Sequence, residues 1–163
     1  MKKRALILVA VGLLALSVNA FALKGTSDFG IGAEVTSINF GSVGSMLTFH
    51  IPRVPLYFAV GADFADEPMI AATVDYWFVN RPIGRSMSYY VGLGGYVGLA
   101  TAASDVTLAA GPRLPLGAQL WLLENDLLEV FLEVAPAWVL FTGSEIDPRN
   151  AHVQVALGFR IWP

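Results

Sequence analysis

From Ala151 to Ile161 apolar residues stand at every second position: Ala151, Val153, Val155, Leu157, Phe159 and Ile161, with His152, Gln154, Ala156, Gly158 and Arg160 between them. Side chains on a strand point alternately to opposite faces, so this segment has one oily face and one polar or small face. Its length matches the roughly 9–11 residues that a tilted strand needs to cross a bilayer. The same two-residue period recurs along the chain, and it constrains the fold to β-structure with two faces of opposite character.

Composition decides what such faces can meet. The chain has 163 residues, 55% of them hydrophobic and 14% charged, with a mean hydropathy of +0.60. A soluble domain carries about 25% charged residues, and a small one cannot hide a large apolar excess inside. The beginning of the chain accounts for part of it. Lys2, Lys3 and Arg4 precede the apolar run Ala5–Leu16, and Ser17-Val18-Asn19-Ala20-Phe21-Ala22 supplies small residues. This pattern predicts a cleaved secretory signal over residues 1–22, cut after Ala20 or Ala22, and one β-barrel domain over 23–163. No later apolar run is long enough for a membrane-spanning helix, so insertion would require a closed barrel. There is no Cys, which excludes disulfides, thiolate metal sites and a Cys nucleophile. The net charge of −3 without a basic block argues against nucleic-acid binding.

About eight strand-like segments are legible. The first is Phe29–Ile38; the second carries Leu47, Phe49 and Ile51; the third Phe58, Val60, Ala62 and Phe64. The fourth alternates from Ile70 to Phe78 and the fifth from Tyr89 to Gly98. The sixth runs from Arg113 to Leu122, with Pro112 and Pro115 predicting a bend near its upper end, because Pro in a sheet belongs at a strand start or bulge. The seventh runs from Leu128 to Trp138, where period 2 fits better than a helical period, and the eighth is Ala151–Ile161. An even number places both ends of the barrel chain on one side.

Charge is confined to one parity. Glu34, Asp63, Asp75, Arg113, Glu129, Glu133, His152 and Arg160 share it with Gln119 and Gln154. In a soluble barrel that face would be outside; in a membrane barrel it fills the lumen while the apolar face meets lipid. Aromatics favour the second reading. Tyr76, Trp77, Phe78, Tyr89 and Tyr90 flank one turn, and Trp121 and Trp162 end strands running the same way, as on one side of an interfacial belt, with Trp138 and Phe141 available for the other. Of these, Trp77, Tyr90, Trp121 and Trp162 fall on the lumen parity and could stack into a floor, with Gly92, Gly94 and Gly98 accommodating rings or leaving a cavity above.

In this pattern the chain resembles the small eight-stranded outer-membrane barrels, the class of the OmpA transmembrane domain, OmpX and the OmpW-like porins. The most specific part is the alternating last strand; Pro163 stands at the place of the terminal aromatic, with Trp162 one residue out of phase. The stretch Gly92–Gly98 and Arg113-Leu-Pro-Leu-Gly is similar to small spirochaete-type outer-membrane barrels. The resemblance implies an all-β, eight-stranded antiparallel up-and-down transmembrane barrel in a bacterial outer membrane, inserted by the outer-membrane assembly machinery.

Candidate chemistry is sparse. His50 and His152 could serve a hydrolase only with a nearby Ser and carboxylate, and Ser144 and Glu145 are the nearest in sequence to His152. Gly92-Leu-Gly-Gly-Tyr-Val-Gly is not followed by a helix, so a nucleotide fingerprint fails. Asp66-Glu67 and Glu145/Asp147 lack a full metal-ligand set. No enzyme activity, metal or cofactor is expected. The lumen charges are expected to pair, Arg113 and Arg160 with some of the acids, because an unpaired buried charge is costly; an acid-lined ion path is the alternative. The expected function is structural or surface-interacting, through loops near Asp66, Ser104 and Glu145–Arg149 that could meet an extracellular protein. Its rivals are a narrow, porin-like pore or carrier for small or apolar solutes, and a soluble periplasmic barrel binding an apolar ligand.

Overall fold

The computed structural model describes residues 28–64, 68–102, 105–123, 126–142 and 151–163. The predicted signal segment 1–22 and the predicted loops around Asp66, Ser104 and Glu145–Arg149 lie outside them. Ten strand segments follow in order: β1 (Gly30–Ile38), β2 (Gly44–His50), β3 (Tyr57–Asp63), β4 (Met69–Pro82), β5 (Met87–Ala102), β6 (Asp105–Arg113), β7 (Leu116–Leu122), β8 (Leu128–Trp138), β9 (Phe141–Thr142) and β10 (Ala151–Ile161). Each neighbouring pair is antiparallel, and β10 pairs with both β1 and β8, which closes the sheet on itself. Closure leaves no edge with unpaired backbone groups, the condition for a sheet to enter hydrocarbon.

The ten segments make eight barrel strands, because two are broken. β6 and β7 are halves of the sixth strand, parted at Leu114-Pro115, and β5 pairs with both halves. The break is bridged by backbone bonds to either side. Gly92 N–H donates to the Pro115 carbonyl (2.8 Å), and Leu114 N–H donates to the Pro136 carbonyl (2.9 Å). Proline lacks the donor but keeps the acceptor. The sixth strand also begins earlier than Arg113: Asp105–Arg113 is strand, with Val106 and Leu108 exposed. The alternation there is diluted by Ala109, Ala110 and Gly111, which hides it in the sequence. β8 and β9 form the seventh strand, broken at Val139-Leu140, and β9 pairs with β6.

The radial polarity is inverted relative to a soluble protein. Leu47, Leu132 and Leu157 are 59%, 52% and 57% exposed, whereas Glu129 is 0% exposed and Asp75, Arg113, Glu133 and Arg160 are buried. A soluble barrel binding an apolar ligand would need the reverse. Placing Arg at Leu132 or Leu157 should therefore cost about 2–4 kcal/mol if the site lies near the bilayer midplane. Reversible urea unfolding of protein refolded into lipid vesicles measures this; unchanged midpoints for both variants would contradict a lipid-facing exterior.

Candidate functional site

Period 2 on β8 sends Glu129, Phe131, Glu133 and Ala135 inward, and all four are buried. The two carboxylates organise two polar clusters at successive heights. The lower one, on the side where β1 begins and β10 finishes, centres on Glu129. Its Oε1 accepts from Arg160 Nη1 and from Gln119 Nε2, each at 2.8 Å, and its Oε2 accepts from Trp162 Nε1 at 2.9 Å. Arg160 Nε donates to Thr48 Oγ1 at 3.0 Å, and the guanidinium lies 4.0 Å from the Phe131 ring centre. Ser88 Oγ donates to Gln119 Oε1 (2.8 Å) and receives Trp121 Nε1 (3.2 Å), which extends the network across the lumen. Charge-assisted bonds of this kind are about twice as strong as neutral ones.

The upper cluster centres on Glu133. Arg113 Nη2 donates to its Oε1 and Tyr90 Oη donates to its Oε2 at 2.7 Å. Arg113 Nε lies 3.2 Å from Asp75 Oδ1, a charge contact, and Nη1 donates to Gln154 Oε1 at 2.9 Å. Gln154 Nε2 in turn lies 2.9 Å from His152 Nε2, whose ring meets Tyr96 edge to face at 5.3 Å. Arg113 and Arg160 are thus each set against carboxylates. Asp63 stands apart at the rim, where its Oδ2 accepts from Ser42 Oγ at 2.6 Å.

The rings pack against the charges, with the Arg160 guanidinium 5.2 Å from the Tyr57 ring centre and 5.5 Å from that of Trp77. Tyr57 stacks on Trp77 at 3.4 Å between centres, Trp77 on Tyr90 at 3.7 Å, and Trp121 packs against Trp162 at 5.9 Å. All five are buried together. Trp77, Tyr90, Trp121 and Trp162 therefore serve the lumen and not the interfacial belt, because their parity turns them inward; Tyr89, of opposite parity, is exposed. Glycine makes room for some of these groups. A Cβ at Gly117 would enter the Tyr90 ring, and one at Gly158 would lie 2.6 Å from Phe131 Cζ. Gly92 accommodates Trp77, but Gly94 faces the Asp75 carboxylate and Gly98 faces Met69, so only the first of the three is a ring position.

Several lumen residues escape a simple parity reading. Tyr57 begins its strand immediately after a turn, which masks its alternation. Asn80 is brought inside by a register shift between Trp77 and Val79. Ser88 bridges Gln119 and Trp121, a role that only the closed barrel creates. His50 is buried at the lower end, with Nδ1 2.9 Å from the Asp28 carbonyl oxygen. It is separate from His152, so the two histidines form no common site. Ser144 and Glu145 lie outside the described residues.

Above the Glu133 cluster the lumen widens into a cavity of about 300 Å³, lined by Glu34, Met46, Met69, Tyr96, Arg113 and His152 among others. No group of three or more His, Asp or Glu among the described residues is arranged to hold a metal ion.

A closed antiparallel sheet with an apolar exterior and an ion-paired interior is a transmembrane β-barrel of the small eight-stranded class. Solved structures share this fold. The N-terminal β-barrel domain of Pseudomonas aeruginosa OprF aligns over 86% of this chain and 100% of its own, at 13% identity and a TM-score of 0.57. Neisserial surface protein A aligns over 85% of this chain and 99% of its own, at 15% identity and a TM-score of 0.50. A de novo designed transmembrane β-barrel aligns over 87% and 100%, at 16% identity and a TM-score of 0.47. No protein-family model and no curated protein matches the sequence.

Removing one partner of either buried pair leaves an uncompensated charge, so Arg113→Met and Arg160→Met should each destabilise the barrel by about 3–5 kcal/mol. Pairing Arg160→Met with Glu129→Gln should recover part of the loss. Equilibrium unfolding in detergent tests this, and single variants as stable as the parent would show that the pairs contribute nothing.

Proposed function

We propose that the protein is a closed, non-conducting barrel of the bacterial outer membrane, with a structural or surface-interaction role exercised through its loops. The observation that carries this reading is the plug across the lower lumen: the Arg160–Glu129 pair with its hydrogen-bond partners, resting on the stacked Tyr57, Trp77 and Tyr90 rings and on Trp121 and Trp162. An eight-stranded barrel has an interior that side chains just fill. Here they meet in direct hydrogen bonds and ring contacts, which argues against a water-filled path for ions.

In this reading the partners are the lipid bilayer, the outer-membrane assembly machinery that inserts the chain, and an extracellular protein met by the loops. The barrel catalyses no reaction. Support for the location comes from the signal-like residues 1–22 and from a fold shared with barrels of Pseudomonas and Neisseria. The protein should fractionate with the outer membrane and migrate differently on gels when boiled. Purified protein in planar bilayers should give no steady current. Reproducible cation-selective currents that disappear on replacing Glu129 and Glu133 would overturn the closed reading in favour of a pore.

A further inference from the structure

The cavity above the Glu133 cluster is not explained by a closed barrel. Its volume of about 300 Å³ is at the lower end of the range for small-molecule pockets, about 300–1,000 Å³. A barrel needing only to be filled could place larger side chains where it carries Ala71, Ala109 and Ala156. Within the wall, Met46 and Met69 offer flexible thioethers that fit irregular apolar bodies.

Two observations define what the cavity would take. The first is charge. Glu34 and Glu133 line it, with Asp75 behind, against the single guanidinium of Arg113. Arg113 is engaged by Glu133, Asp75 and Gln154. Glu34 has no hydrogen bond or ion pair of its own among the described residues, although it feels both guanidiniums and Glu133 through space. The second is an orphaned polar atom. Tyr96 is 8% exposed, lines the cavity, and its hydroxyl has no hydrogen-bond partner. A buried hydroxyl left unpaired is costly, and a ligand group would satisfy it.

We infer that this cavity is a binding site for a small organic cation, an amine with a compact apolar body. The ammonium lies against Glu34 and the Glu133 side of the floor, and Tyr96 Oη accepts one of its N–H groups. The apolar part packs between Met46 and Met69. An ammonium supplies several donors and no acceptor, which matches a surround of carboxylates and a hydroxyl. A carboxylate ligand would meet like charge, and a bare metal ion would lack the ligand set described above. Ile38, Asn39 and Asp63 set the rim, so entry is from the side opposite the aromatic plug, and binding needs no passage through the barrel.

The test uses the full protein refolded into phospholipid nanodiscs and titrated calorimetrically with 2-phenylethylamine, 2-phenylethanol and 3-phenylpropionate, each against empty nanodiscs. The amine should bind saturably at one per barrel, the alcohol about tenfold more weakly, and the carboxylate not at all. Glu34→Gln should collapse the preference of amine over alcohol, and Ala71→Phe, which fills the cavity, should abolish binding of both. Heat-shifted gel mobility establishes that each variant is folded; if one fails to fold, the three-probe series on the parent protein decides alone. Equal binding of all three probes, no saturable signal above empty discs, or amine binding unchanged in folded Glu34→Gln and Ala71→Phe would overturn the assignment.

Discussion

The Arg160–Glu129 ion pair holds the barrel where it closes. Arg160 lies on β10, the strand that joins the two ends of the sheet. Its guanidinium reaches Glu129 on β8 on one side and Thr48 on β2 on the other, across β1. One side chain thus ties four consecutive barrel strands from within. Glu129 can occupy a site with no solvent only because three donors surround it, from Arg160, Gln119 and Trp162. Trp162 contributes two of the fastenings, since its backbone N–H also donates to the Leu127 carbonyl at 2.9 Å. Its position one residue out of the lipid-facing phase is what turns the indole toward Glu129.

The interior is graded along the barrel axis. Large rings and the Glu129 cluster fill the end where β1 begins and β10 finishes; the Glu133 cluster crosses the middle; small residues and two methionines surround the open volume at the other end. The grading follows from residue size at inward positions. Where β8 presents Phe131 and β5 presents Tyr90, the facing strands carry Gly158 and Gly117. Where the inward positions are Ala71, Ala109 and Ala156, nothing large stands opposite, and the space stays open.

Much of this was legible from period alone. On a strand, parity settles which face a side chain takes, so the inward direction of Glu129, Glu133, Arg113, Arg160, Trp77, Tyr90, Trp121 and Trp162 can be read off the chain. Parity is silent on height. Which acid meets which arginine depends on the stagger between strands, and the sequence does not display it: Asp75 joins Arg113, while Asp63, of the same parity, stays at the rim with Ser42. Parity also fails where the backbone gains a residue, as between Trp77 and Val79, or where small residues blur both faces, as in Asp105–Arg113. The prolines indicated a disturbance in the sixth strand, but not that neighbouring strands would bond across it through Pro115 and Pro136.

The placement of the paired charges on different strands also bears on how such a chain enters a membrane. Glu129 and Arg160 belong to β8 and β10, and these come together only when the last strand is in place. A partly assembled sheet sliding into hydrocarbon would carry its carboxylates and guanidiniums with neither water nor partner, a state with a very high free energy. Strand-by-strand insertion is therefore disfavoured for this sequence. Curling of the sheet, burial of the charges and crossing of the bilayer must advance together, with the oily surface entering lipid as the polar one is shielded behind it.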